Sequence, residues 1–98
     1  MITHIALFRW KPETTPEQIA AISAGLATLP GLIPSLKTYQ FGTDIGASGP
    51  ANMDYAVIAT FETIEDFRAY LEHPEHDRVR AAIIRPWIAE RSDVQLQS

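Results

Sequence analysis

The sequence predicts an α+β domain built on a four-stranded antiparallel sheet, with strands and helices in the order βαββαβ. Three observations lead there. Ile2–Trp10 and Tyr55–Phe61 alternate with the two-residue period of a pleated strand. Two stretches carry apolar residues three and four positions apart behind a threonine suited to cap a helix. The connections are short, which places both helices on one face of the sheet.

In the first strand Ile2, His4, Ala6, Phe8 and Trp10 fall on one side and Ile5 and Leu7 on the other, so both faces are largely apolar. Residues 11–14 read as a turn. Thr15 then caps a helix, with Pro16 at its first position and Gln18 reaching back in a capping box. Ile19, Ile22, Leu26 and Leu29 form the inward stripe, and Pro30-Gly31 is expected to end it. A loop over 32–35 leads to a second strand over 36–42, with Tyr39 and Phe41 on one side. Segment 43–54, which holds Gly46, Ser48, Gly49 and Pro50, reads as an exposed loop between strands. In the third strand Tyr55, Val57, Ala59 and Phe61 share a face opposite Ala56 and Ile58. Thr63 caps the second helix with Asp66 at its third position, and Ile64, Phe67, Tyr70 and Leu71 form its inward stripe. Pro74 stops or bends that helix, because its ring clashes with the preceding turn. Another short helix is expected over 75–84, stopped near Arg85-Pro86, and the last strand around 93–97.

This order is ferredoxin-like, and residues 1–98 fit a single domain. Helices on one face leave the other bare. That bare face, expected to carry some of His4, Ala6, Phe8, Tyr39 and Val57, would be a larger apolar patch than soluble monomers tolerate. A second copy is the simplest cover: two sheets would close a dimeric α/β barrel around a small cavity, through a two-fold interface of about 1,600 Å² or more.

Composition narrows the function. Hydrophobic residues make up 46% of the chain and charged residues 20%, enough to form a core. The formal net charge is -4 and no basic stripe is present, which argues against nucleic acid as a partner. Without cysteine there is neither a disulfide framework nor a thiolate nucleophile. No stretch approaches the ~20 apolar residues of a membrane span, and Met1-Ile2-Thr3-His4 lacks the basic, then apolar, pattern of a signal peptide, so a cytoplasmic location is expected.

The residues able to carry chemistry are few. His4 interrupts the apolar side of the first strand and needs a hydrogen-bond partner if buried. Tyr70, Glu72, His73, Glu75 and His76 crowd the junction of two helices. A histidine there can serve simply as a cap, and the carboxylates there read as solvated. His73 and His76 have a metal-like spacing of three, but Pro74 lies between them and breaks the helix that would align them, so no metal is expected.

The opening His4-Ile5-Ala6-Leu7-Phe8-Arg9, the Ile33-Pro34 pair, the strand from Val57 to Phe61 with Glu62, and above all His73-Pro74-Glu75-His76 resemble the stress-responsive A/B barrel (Dabb) family over nearly the whole length. That family forms dimeric ferredoxin-like barrels. It includes a plant polyketide cyclase that closes a linear poly-β-ketone by aldol condensation without an organic cofactor. The resemblance implies Tyr70 and His76 as a catalytic pair, His4 as a further pocket histidine and Trp87 as a pocket tryptophan. Ala6, Phe8, Ile22, Leu26, Val57, Leu71 and Val79 would line a site for a small hydrophobic molecule. Ala6, Ile22, Ser23, Leu26 and Ala27 stand where the cyclase carries generally bulkier groups, which leaves the substrate open. An imidazole with an ordinary pKa near 6.5 suits a general base at neutral pH, and a phenol suits an oxyanion donor. Two other readings stand beside the cyclase: a non-catalytic barrel that binds an apolar ligand or builds assemblies, and a cofactor-free monooxygenase or isomerase suggested by fold analogy alone.

Overall fold

A computed structural model describes residues 1–98, in the order β1 (Ile2–Trp10), α1 (Pro16–Ala27), α2 (Leu29–Leu32), β2 (Thr38–Thr43), β3 (Tyr55–Phe61), α3 (Ile64–Glu72), α4 (Pro74–Arg78), a π-helical segment (Val79–Ile84), a 3₁₀ turn (Arg85–Trp87) and β4 (Ile88–Gln97). All strand pairs are antiparallel, in the order β2-β3-β1-β4. This is the ferredoxin-like arrangement. No helix is long and apolar enough to cross a membrane.

Local sequence explains where the helices start. The Thr15 hydroxyl accepts from the Gln18 amide at 3.3 Å while the Gln18 side chain accepts from the Thr15 amide at 2.7 Å, so two otherwise orphaned donors are satisfied at once. Thr63 caps α3 through the Asp66 amide at 3.1 Å. The end of α1 differs from expectation: the helix closes at Thr28, whose hydroxyl donates to the Gly25 carbonyl at 2.7 Å. Pro30 and Gly31 belong to the one-turn α2 that follows. A proline in the first turn of a new helix loses no hydrogen bond, so it opens that turn as readily as it ends the previous one.

The two faces of the sheet are the reverse of the expectation. His4, Ala6 and Phe8 of β1 and Val57 of β3 lie under the helices, in a core that includes Phe61, Phe67 and Tyr70. Tyr39 of β2 packs against the same core. The bare face carries the other alternation. There Ile5 stands between Ile58 on β3 and Val94 on β4, with Leu7 beside Ala56. The bulky rings of Phe8, Trp10, Tyr55 and Phe61 need the depth of a helix layer, whereas the smaller aliphatic set suits a flat surface. The inward stripe of α3 is also narrower than expected, with Ile64 and Leu71 exposed. At about 100° per residue they flank Phe67 on the side away from Tyr70.

Strand β4 runs ten residues, beginning well before position 93. Its polar stretch Glu90-Arg91-Ser92 gives no strand pattern, yet the whole strand pairs with β1 from Trp10 to Ile2, with a register shift between Arg9 and Trp10.

Phe61 is fully buried and holds Tyr70 in place, with ring centroids 5.3 Å apart, and Phe67 at 5.4 Å. Phe61→Ala is expected to cost about 3–5 kcal/mol of stability, seen as a lower urea midpoint at unchanged m-value.

Candidate functional site

Between the helix-covered face of the sheet and the helices lies a cavity of about 40 Å³. A water needs about 10–15 Å³ on this scale, so the cavity admits only a few heavy atoms. Its apolar wall comes from Ala6 and Phe8 on β1, Val57 on β3, Leu26 on α1, Leu29 on α2, Val79 and Ile84 from the π-helical segment, and Ile88 at the start of β4. Its polar groups are His4, Tyr39, Tyr70, His76, Arg80 and Arg91. It therefore lies within one chain, on the helix side of the sheet, rather than between two sheets.

His76 reaches this wall because the helix breaks. His73 leaves helical geometry before Pro74, and its ring Nδ1 accepts from the Glu75 amide at 3.1 Å, capping α4. The restarted helix turns His76 back over α3, where its ring centroid sits 4.3 Å from that of Tyr70. Nδ1–H of His76 donates to the Leu71 carbonyl at 3.3 Å. That bond selects the tautomer whose Nε2 carries a free lone pair. Burial lowers the pKa of His76 to about 4. The Leu71 carbonyl opposes the shift, and Arg80, His4 and Arg91 add to it. The ring is neutral at physiological pH.

The phenol of Tyr70 meets that of Tyr39 at 3.0 Å. Burial raises the pKa of both, so both remain protonated, and of the two hydroxyl hydrogens one joins the pair and the other is free to donate. His4 is buried, and its Nδ1 accepts from the Gln95 side-chain amide at 3.0 Å, which leaves Nε2–H as a donor. Burial lowers the pKa of His4, with Asp93 opposing and Arg91 adding. His4, Tyr70 and His76 do not bond to one another. Each is anchored at one end by a different residue.

The structure thus brings His4, Tyr70 and His76 to one cavity with Ala6, Phe8, Leu26, Val57 and Val79. It leaves three expected lining residues out. Ile22 is wholly enclosed in the core. Leu71 points its side chain outward and contributes only its carbonyl. Trp87 sits half-buried in the 3₁₀ turn, packed against the core, and its carbonyl accepts from the Lys11 amide at 2.8 Å. Sequence reasoning missed Tyr39, Arg80, Arg91 and Gln95 as site residues. Tyr39 was assigned to the bare face, and Arg91 fell outside the expected strand. Gln95 lay inside it, but only the register shows it standing opposite His4.

A single sheet under one helix layer, holding two neutral imidazoles and paired phenols around a small apolar cavity, defines a ferredoxin-like pocket domain. The chain belongs to the stress responsive A/B barrel domain (Dabb) family, whose family model matches residues 2–95. It is 31% identical to a stress-response A/B barrel domain-containing protein of Arabidopsis thaliana over 77 residues, covering 76% of this chain and 70% of that one. To olivetolic acid cyclase of Cannabis sativa it is 26% identical over 76 residues, 76% of this chain and 75% of the cyclase. A dimeric ferredoxin-like protein of unknown function from Thermobifida fusca YX superposes with a TM-score of 0.90 at 44% identity, over 99% of this chain and 90% of that one.

Both pocket imidazoles sit below their ordinary pKa, so as pH falls from about 6.5 toward 4 the unfolded chain takes up protons that the folded chain refuses. Their contribution is fully present above about 6.5 and is lost through that window. Urea midpoints at pH 7, 5.5 and 4.5 are expected to fall in order, and His76→Gln is expected to shallow the decline. An equal slope in the variant would show that His76 is not part of it.

Proposed function

We propose that this protein is a cofactor-independent enzyme that applies acid–base chemistry to a small apolar carbonyl compound, with aldol-type cyclisation of a poly-carbonyl substrate as its reaction. The observation that carries this reading is the meeting of the free Nε2 of His76, the Tyr70–Tyr39 hydroxyl pair and the Nε2–H of His4 at one largely apolar cavity. The similarity to olivetolic acid cyclase supports it.

In this reading Nε2 of His76 removes a proton from a carbon between two carbonyls. The enolate oxygen accepts from the hydroxyl pair, and Nε2–H of His4 donates to a second carbonyl oxygen. The enolate carbon attacks a carbonyl further along the chain, one carbon–carbon bond forms, and the new alkoxide takes back the proton held by His76. No atom is lost and no oxidant is consumed.

The test is to offer short poly-β-ketone thioesters, generated in situ, and to follow cyclised products by mass spectrometry. His76→Ala is expected to lower turnover by about 10²–10⁴ and Tyr70→Phe by about 10²–10³. The acid limb of kcat/KM is expected near pH 4 rather than 6.5. Identical products with and without the protein would remove the cyclase reading. The alternative is then a non-catalytic barrel holding a small apolar ligand. One observation favours it: about 40 Å³ lies far below the ~300–1,000 Å³ of ordinary ligand sites, so a poly-ketone requires the helix layer to move.

The reading includes a homodimer in the cytoplasm. Val94 and Leu96 of β4 are 47% and 54% exposed on the bare face, while its polar Arg91, Asp93 and Gln95 point to the helix side. An edge strand that turns its apolar residues away from its own core needs a partner there. The dimeric state of the Thermobifida fusca neighbour supports a second copy as that partner. Val94→Lys with Leu96→Lys is expected to give a monomer by sedimentation, with the helix-side cavity intact. A stable dimer in that variant would place the interface elsewhere.

A further inference from the structure

Two arginines stand in the wall of this largely apolar cavity, each already paired with a carboxylate outside the lining. The chain holds 12 Asp and Glu against 8 Lys and Arg. Yet the lining contains Arg80 and Arg91 and no carboxylate. Arg80 follows Val79 in the π-helical segment, and Arg91 stands on β4 opposite Phe8 in register, so two separate elements each contribute an arginine to the cavity wall.

Each guanidinium is fixed along one edge only. Asp77 takes Nη2 of Arg80. Asp93 takes Nε of Arg91 at 3.1 Å and Nη2 at 2.8 Å. Neither carboxylate lines the cavity. Each arginine has five N–H donors, so several remain unclaimed on both. One of these is conspicuous: Nε of Arg80 is shut away from solvent and has no acceptor. Burying a charged donor without a partner is costly, and the polypeptide supplies no oxygen to meet it. The side chain as a whole is 39% exposed, which places it at the mouth rather than the floor.

We infer that the cavity takes a small amphipathic carboxylate, its carboxylate across Arg80 and Arg91 at the mouth and its apolar carbons among Leu26, Val57, Val79 and Ile84. Where this rests on the proposed reaction, it narrows the substrate to a keto acid rather than a neutral ketone. Planar, forked guanidiniums suit a carboxylate better than any neutral head group. The same contact acts on the base. Burial comes first in lowering the proton affinity of His76, and Arg80, His4 and Arg91 add to it; a carboxylate between the two arginines offsets their part of that added effect.

The test uses hexanoate, whose chain needs the same movement of the helix layer as a poly-ketone, and its uncharged counterpart hexanamide on the whole protein, by calorimetry and by NMR titration of the His76 ring. Hexanoate is expected to bind saturably, about ten-fold or more tighter than hexanamide, and to move the His76 titration upward. Arg80→Gln and Arg91→Gln are each expected to weaken hexanoate by about ten-fold, and Arg80→Lys, which keeps the charge without the fork, by less. The His76 shift is read on the native protein and does not depend on any variant folding. Equal affinity for acid and amide, no saturable binding of hexanoate, or glutamine variants that bind it like the native protein would each overturn the inference. Hexanoate held through both arginines in a protein that cyclises nothing leaves the carboxylate site standing and removes the proposed reaction instead.

Discussion

Strand β1 lies inside the sheet, hydrogen-bonded to β3 on one side and β4 on the other, and both of its faces are apolar. Helices joined by short connections cover one face, so the alternation along nine residues decides what the site contains and what the surface exposes. Taking the aromatic side inward brings His4 beneath the helices with Phe8 and Trp10. The same choice turns Ile5 and Leu7 outward. A shift of one residue in the pairing would exchange the two sets, which is why such a strand holds its register firmly. Site and bare face are thus two consequences of one pattern.

The second constraint is the break at Pro74. An unbroken helix from Ile64 would carry His76 away along its axis. The interruption, capped by His73, lets α4 restart at a new angle and set the His76 ring against Tyr70. The π-helical segment follows directly. A π-bulge widens the helical turn and is common where side chains must be aimed at a site. Here the segment supplies Val79, Arg80 and Ile84 to the cavity. It packs closely on α1 at Gly25, where an added Cβ would stand 3.1 Å from the Ile83 side chain.

Most of the fold was legible because its signals are local. The capping box at Thr15, the cap at Thr63 and the alternation of Tyr55–Phe61 each depend on a few neighbouring residues, and each forms at the expected place. His4 was legible as a polar residue that interrupts an apolar strand face, whereas Tyr70 and His76 were singled out by the family resemblance; the structure brings all three to one cavity. Non-local features were not legible. When both faces of a strand are apolar, its sequence does not say which one the helices take, and that assignment failed for His4, Ala6, Phe8, Tyr39 and Val57 together. The start of β4 was hidden because an edge strand with one solvent-facing side carries polar residues where a buried strand would alternate. Arg91 was lost with it. The role of Gln95 exists only through its pairing opposite His4, a contact 91 residues apart in the chain.

The electrostatics of the cavity set the terms on which it can do chemistry. A fall of the His76 pKa from 6.5 to about 4, at about 1.4 kcal/mol per pH unit, is roughly 3 kcal/mol of lost proton affinity, less once solvent screening of its partly exposed ring is allowed for. One oxyanion donor is worth about 2.7–4 kcal/mol, so a single well-placed hydroxyl offsets the weakness of the base. For the proposed reaction the site offers more than one such donor: the Tyr70–Tyr39 pair, and Nε2–H of His4, whose Nδ1 is held by Gln95. Burial therefore acts in two directions. It weakens His76 as a base while keeping it neutral, and it keeps both phenols protonated in a medium where their hydrogen bonds are stronger than in water. The balance favours reactions in which negative charge develops on oxygen, and an imidazole that takes up a proton only while that charge is held.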